Sequence, residues 1–582
     1  MIMQNNEKFY NYLIFFSIFV VCLFFTISHT LEQNSLDASL IFGGFVESPK
    51  GKSQMSHLNS QFSLLIYLGT YLLKFGLSIN LISKILIFFS TISYFTGIYL
   101  IIISIIKYIN VYNKRLISFS FTFIAIFIIE LNFGDVDSPA MIFTEHTFGI
   151  YSLALPTLIF GLLSNGNIFL AFFFVFILLL THGVLGIWTL SILILNSLIY
   201  IFYHKKTYFV KNAFLGCILG LALFLLVLTF HINSSGQFKV FVFSEYDSND
   251  LINWDILWET HRTIREIDFL YLSKSIILML IIIFFIKFNK KYIDENTSFA
   301  LSGIILSIFL GSILYIFYKL FLEFLPPFIK APIPTRVFNM HTYLSWPIIF
   351  SISIFILKII SKKIKINFKK TFFYTSILIF IFIISFNQKN LTNYLFAHYD
   401  KNIGIKSILE NNPFRTRIAN FIWESPFRKI FFNKEKIKEI NMKRYPNSNF
   451  WQKIREYKTN SYWLTINPYQ YKLLRYGRKP ILIDTHSFDF AYYELSSLNF
   501  IKEVIENIFN LPFDKITIPS FKKNSGRVPN NIIKIEFENK NYDNWLKISN
   551  KFNLNFIIVP SNWKIDLPIQ LSNGNLSLYK IQ

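Results

Sequence analysis

Over the first two thirds of the chain, apolar residues do not alternate with polar ones. They come in unbroken runs such as Tyr12–Ser28 and Ile277–Phe288, which hold few or no charges. About 20 mostly apolar residues are what an α-helix needs to cross a bilayer. Eleven runs read as spans: 12–28, 81–106, 116–131, 150–163, 168–180, 184–203, 208–230, 275–288, 299–320, 343–360 and 371–386. A further run, Phe62–Phe75, is shorter and carries Lys74. The pattern predicts an α-helical polytopic membrane bundle of about 11 spans, with 12 or 13 left open. No small-x-small cleavage site follows the first run at His29-Thr30-Leu31-Glu32, so that run reads as a retained helix rather than a signal peptide.

The pattern changes after Asn387. Residues 388–582 are polar, mixed in charge and rich in Asn, Lys, Tyr and Trp, and are enough for one domain. Strand-like runs occur at Ser461–Ile466, Pro480–Ile483, Ile532–Phe537, Asn555–Val559 and Leu576–Ile581. Helical patterns fit Ile403–Asn411, Phe500–Ile508 and Asp543–Phe552. The expectation is a small α/β domain, 388–582, after a membrane domain, 1–387.

Charge decides the topology. The net charge is +23, in a chain that is 53% hydrophobic. Lys and Arg concentrate in alternate loops, around Lys107–Arg115, Lys205–Lys211, Lys287–Lys291 and Lys362–Lys370. By the positive-inside rule these face the cytoplasm. The loops at 31–80, 132–149, 231–274 and 321–341 then face outward, with the N-terminus inside and the C-terminal domain extracytoplasmic. That assignment holds only if Phe62–Phe75 does not cross and instead forms a helix within the first outward loop. The basic excess is thus accounted for by membrane sidedness, and nucleic acid is not an expected partner. Two cysteines, Cys22 and Cys217, fall inside apolar runs and leave the tail without a disulfide or a Cys-based metal site.

Four constellations could carry chemistry. Asp37 lies with Glu32 and Glu47 in the first outward loop, where a carboxylate can act as a general base or simply be solvated. Asn132–Gly149 packs Asp135, Asp137, Glu145 and His146 into one connection. An Asp-x-Asp pair can bracket a hard divalent cation, Mg or Mn, the one cofactor the sequence suggests. Arg336 follows a proline-rich stretch, with His341 nearby, and a guanidinium there suits a phosphate head group or an interface anchor. In 231–274, charged residues including Arg262 interleave with Trp254 and Trp258, as in an amphipathic helix with its tryptophans at headgroup level. No Walker loop, Gly-x-Gly-x-x-Gly, Gly-x-Ser-x-Gly or His-Glu-x-x-His motif is present. The spans also lack the charged residues of an ion path, apart from Glu130 near a span end.

With Asp37 in the first outward loop and Asp135-Val136-Asp137 in the second, ahead of an outward α/β domain, the architecture resembles the GT-C-type glycosyltransferases. The resemblance implies transfer of a sugar from a polyprenyl-phosphate carrier to an extracytoplasmic glycan, lipid or protein, at a bacterial inner membrane. It implies Asp37 as base, with Glu145 and His146 beside it in the chemistry. Arg336, His341 and Arg262 would bind phosphate, and Asp135 and Asp137 the metal. The tail stretch Trp463–Pro468 with Leu474–Asp484 is similar to outer domains of bacterial membrane proteins of this general type, reading as strand, turn, basic pair, strand. Two other classes stay open: a lipid or polysaccharide transporter or flippase, and a non-catalytic envelope-assembly protein.

Overall fold

The computed structural model describes the chain outside residues 1, 29–34, 56–61, 109–113, 131–148, 236–249, 259–266, 326–336, 339–343, 357–420, 439–446, 484–496 and 515–527, and outside the single or paired positions 48, 52, 54, 251–252, 268, 322–323, 345–346, 350, 424 and 468. In chain order the helices are α1 Ile2–Ser28, α2 Ser35–Phe42, α3 Leu64–Lys74, α4 Ile79–Ile105, α5 Lys114–Glu130, α6 Gly149–Ser164, α7 Ile168–Thr181, α8 Gly183–Phe202, α9 Val210–Ser235, α10 Phe269–Phe288 and α11 Glu295–Phe321. The C-terminal part adds α12 Ser448–Glu456, α13 Leu498–Asn507, α14 Asn530–Glu538 and α15 Tyr542–Phe552, with strands β1 Tyr462–Thr465, β2 Leu554–Pro560, β3 Ile569–Ser572 and β4 Leu576–Lys580.

Four helices among the described residues are long and apolar enough to cross a membrane: α4, α8, the Val210–Ile232 part of α9, and α11. Ile14–Ser28, Ala154–Ser164 and α7 are apolar but shorter. The surface agrees with this character. Phe214, Ile218, Leu219, Leu225 and Leu226 of α9 are all exposed, as are Ile187 and Ile194 of α8. A contiguous apolar face of this kind marks contact with lipid or another protein. The expected span at 371–386 lies outside the described residues, and the expected domain boundary at 387/388 falls there too.

The chain divides into two compact units. The first holds Met1–Glu32, Ser83–Val227 and Arg265–Phe431. Here α6 packs on α7, α7 on α8, and α11 on α6, α8 and α10. Small residues permit the closest approaches, as expected where apolar solvent gives no hydrophobic drive between helices. A Cβ on Gly97 would stand 2.5 Å from the Thr157 backbone, and one on Gly161 would stand 2.5 Å from the Gly97 carbonyl oxygen. On α9, Gly216 and Gly220 are spaced one turn apart and meet the Phe169 carbonyl oxygen and the Phe176 ring. Buried Asn196 ties α8 to α11, donating to the Phe299 carbonyl at 2.9 Å and accepting from Ser302 at 2.8 Å. At one end of this unit, Asp294 and Glu295 at the start of α11 pair with Lys107 at 2.9 Å and Lys206 at 2.7 Å. Loops after α4, α8 and α10 therefore share an end of the unit.

The second unit holds Gln33–Ile82, Leu228–Ile264 and Phe432–Gln582. Its sheet has the order β1-β2-β4-β3. β1 pairs parallel to β2, and the other pairings are antiparallel. A single parallel bridge, Trp463 to Ile481, extends the β1 edge. Trp463 stacks on Phe556 of the neighbouring strand at 4.3 Å. α15 is set by its ends: Asn541 and Asn544 form a capping box, Asn553 closes the helix in the left-handed region, and Trp545, Ile548, Ser549 and Phe552 face inward. The run 532–537, which alternates like a strand, is instead the body of α14. Ile533 and Phe537 are buried one turn apart, and Ile535 between them is 55% exposed, so the helical period governs. The edge strand β3 was not expected, although Ile569-Gln570-Leu571-Ser572 alternates and Asn573-Gly574 is a hairpin turn leading into β4.

The run Phe62–Phe75 yields α3, 11 residues long with Ser63 as N-cap. At 1.5 Å per residue that is about 16 Å, roughly half a bilayer core. It packs against α2 inside the second unit: Ser39 donates to the Ile66 carbonyl at 2.9 Å, and Thr70 donates to the Ser39 carbonyl at 3.2 Å. The segment 228–264 departs from its expected role. Trp254 and Trp258 are 0% and 2% exposed and belong to the tail domain's hydrophobic core, not to a membrane surface. Tryptophans one helical turn apart fit either setting from sequence; here a π-helical turn, Trp254–Trp258, points them into the core, and Trp258 Nε1 donates to the Phe513 carbonyl at 2.9 Å.

Candidate functional site

Of the residues singled out from the sequence, Asp37 is among those described. Asp135, Asp137, Glu145, His146, Arg262, Arg336 and His341 lie outside them. Among the described residues, no three His, Cys, Asp or Glu side chains come together as a metal-binding group.

Asp37 sits in the first turn of α2. Apolar Leu36, Ala38, Leu40 and Ile41 are buried around it, which fixes the helix face and leaves the Asp37 side chain 17% exposed. Its Oδ1 accepts from Nε of Arg475 at 2.7 Å. The Arg475 side chain is only 2% exposed and lies 5.4 Å from the Tyr471 ring centroid. A buried guanidinium is costly without a close partner, so the pair is a defined feature of the interior rather than a surface contact.

Arg475 belongs to a π-helical turn, Leu473–Gly477, packed between α2 and α12. The turn ends at Arg478, whose φ of 54° places it in the left-handed region and whose backbone N–H closes on the Leu473 carbonyl. A non-glycine residue there is strained, because its Cβ crowds the following carbonyl. Nη1 of Arg478 is buried and has no hydrogen-bond partner among the described residues. The guanidinium lies 5.7 Å from the Phe45 ring centroid. Burial, and then the positive charge of Arg455, lower its pKa to about 10.

Lys479 follows, 7% exposed. Its Nζ donates to the Arg455 carbonyl at 3.1 Å and to the Tyr457 carbonyl. Burial lowers its pKa, Glu47 opposes that shift, and Arg455 adds to it. Four cations thus gather against the two carboxylates Asp37 and Glu47.

The loop between α2 and α3 is tied to this turn and to β1 by further bonds. Tyr462 donates to the Pro49 carbonyl at 2.8 Å and to the Gly51 carbonyl at 3.2 Å. The Ile481 N–H donates to Met55 Sδ at 3.2 Å. The segment 228–264 is held by Lys502, which pairs with Asp250 at 2.9 Å.

Sequence reasoning found Asp37 and the basic pair but not their meeting. The available signal was Leu-Leu-Arg-Tyr-Gly-Arg-Lys-Pro, in which charge is set between Leu and Pro where a surface turn would have polar neighbours. His182 caps α8, accepting from the Leu185 N–H at 3.4 Å. No protein-family model matches the chain, and no curated protein matches it.

Proposed function

We propose that the protein is a GT-C-type membrane glycosyltransferase, moving a sugar from a polyprenyl-phosphate carrier to an acceptor outside the bacterial inner membrane. The observation that carries this reading is the ion pair between Asp37 and Arg475. An acidic residue in the loop after the first apolar helix is held at a fixed position by a buried guanidinium, on a helix of its own, rather than left to solvent. A fixed carboxylate is what a general base needs, because proton abstraction requires hydrogen-bond reach to the acceptor hydroxyl. In this reading Asp37 takes the proton from the acceptor hydroxyl as the sugar–phosphate bond breaks, and the proton leaves on the carboxyl group. Arg475 positions Asp37. The eleven-span topology, with Lys107 and Lys206 inside and the second unit outside, belongs to the same proposal and is supported by their shared contacts with Asp294 and Glu295. So do phosphate-binding roles for Arg336, His341 and Arg262, roles in the chemistry for Glu145 and His146, and a divalent cation at Asp135 and Asp137.

The test is sugar transfer from labelled polyprenyl-phosphate sugars to envelope acceptors by the purified, reconstituted full chain, comparing the native protein with Asp37→Asn. The reading expects transfer by the native protein and a loss of at least a hundredfold in the variant per amount of folded protein. Equal transfer by both overturns it. Movement of the donor across the bilayer without a new glycosidic bond would establish the flippase class instead.

A further inference from the structure

We infer that the turn ending at Arg478 is a binding site for a phosphate-type oxyanion, with Phe45 as its movable cover. The inference concerns the second unit alone and does not rest on sugar transfer. Three independent features meet at this residue. Nη1 of Arg478 is buried with no hydrogen-bond partner among the described residues, although a buried guanidinium donor is normally satisfied. The residue is held at φ 54°, where glycine is the usual occupant, and such strain concentrates where a side chain must be aimed at a ligand. Arg455 acts on both Arg478 and Lys479, and the cations of this cluster, Arg455, Arg475, Arg478 and Lys479, outnumber its carboxylates, Glu47 and the Asp37 already paired with Arg475, so the net local charge favours an anion. Lys479 is already committed to two backbone carbonyls, which leaves Arg478 as the donor presented to the ligand.

Access is built into the first outward loop. The Phe45 ring lies over the guanidinium, yet Phe45 itself is 36% exposed. It follows Gly43 and Gly44: a Cβ on Gly43 would strike the Phe45 ring at 2.8 Å, and Gly44 has φ +74° with open space around it. This turn lets the ring swing without moving the buried part of α2. A guanidinium presents a planar fork of N–H donors that matches two oxygens of a phosphate, and an oxyanion would replace the weaker ring contact with charge-assisted hydrogen bonds.

The experiment uses the full chain in phosphatidylcholine nanodiscs. Inorganic phosphate is titrated at constant ionic strength against chloride, reading Tm and the 31P linewidth. The native protein is expected to show a saturable rise in Tm and line broadening. Arg478→Gly, which relieves the left-handed strain and so keeps the fold, should show neither. Arg478→Lys, which keeps the charge but loses the fork, should bind at least tenfold more weakly. Phe45→Ala should bind as tightly as the native protein or more tightly. Repeating the titration in discs containing phosphatidylglycerol separates two sources of the same chemistry. Competition by the lipid identifies a headgroup as the ligand, and unchanged binding identifies a soluble phosphate. A native protein without a saturable response in phosphatidylcholine discs, or an Arg478→Gly variant that responds like it, overturns the inference.

Discussion

Asp37 and Arg475, 438 positions apart, close an ion pair at 2.7 Å with the guanidinium almost wholly out of solvent. Removing one partner of such a pair leaves a charge buried without compensation, at a cost of about 3–5 kcal/mol. Arg475→Met should lower the stability of the second unit by about 3 kcal/mol, toward the low end because Asp37 is 17% exposed. Asp37→Asn in the Arg475→Met background should cost much less than it does alone. The measurement is a double-mutant cycle by thermal unfolding in detergent. Additive effects would show that the two side chains are not coupled.

The contact of α4 with α6 makes a prediction for the membrane helices. Gly97→Ala places a methyl 2.5 Å from the Thr157 backbone, which no rotamer change can relieve. Overpacking of this kind costs about 1–3 kcal/mol. Gly183→Ala serves as the control, because its Cβ would meet nothing within 4 Å. Detergent-solubilised Gly97→Ala should unfold at a clearly lower temperature, while the control stays near the native value. Equal Tm values would place the α4–α6 contact elsewhere.

Arg478 carries a signature in pH. Its pKa is lowered to about 10, so the folded state disfavours the protonated guanidinium. The group therefore costs stability wherever it must stay protonated in both states, below about pH 10, and the cost fades as pH rises through that value. Arg478→Gly lacks this cost and also gains about 1 kcal/mol from relief of the left-handed backbone. Without phosphate, the variant should unfold above the native protein at pH 7–9, and the gap should narrow but not vanish above pH 10. A gap that widens with pH would reverse the assigned sign.

Lys107 and Lys206 both reach the start of α11, so single cysteines at the two positions, in a chain with Cys22 and Cys217 replaced by Ala, should label from the same side of the membrane. Impermeant maleimide applied to sealed spheroplasts and to inverted vesicles gives the answer. Labelling from opposite sides would break the topology. The ion pairs themselves are exposed and worth at most about 1 kcal/mol each, so loss of either lysine should not unfold the protein.

How much was legible in the sequence follows from what each pattern encodes. Long apolar runs encode helices directly, and nine of the eleven expected spans coincide with α1 and α4–α11. Membrane character is the coarser statement these helices establish: among the described residues four are long and apolar enough to cross a bilayer, and the count of eleven remains part of the proposal. The brevity of α3 was readable because Lys74 and the Gly76 turn limit the run. Ile532–Phe537 was misleading because a stretch with period 2 also places Ile533 and Phe537 one helical turn apart. Trp254 and Trp258 were misplaced because an aromatic anchor looks the same beside lipid and beside a protein core. Of the Asp37–Arg475 pair only the two ends were legible, a carboxylate after the first apolar run and an arginine set among apolar residues; one sequence has no signal that joins residues so far apart.

The second unit draws its parts from three separated stretches of chain, 33–82, 228–264 and 432–582, and its interior strand β4 begins at Leu576. During synthesis at about 5–20 residues per second, Pro49 is made about 20–80 s before Tyr462, the residue 413 positions on that donates to its carbonyl. For that interval α2 and α3 have each other to pack against but not Arg475, and the Trp254–Trp258 turn waits for the core it enters. A chain that stops before Tyr462 never closes these loops, because the bonds to Pro49, Gly51, Asp37 and Met55 all come from Tyr462, Arg475 and Ile481.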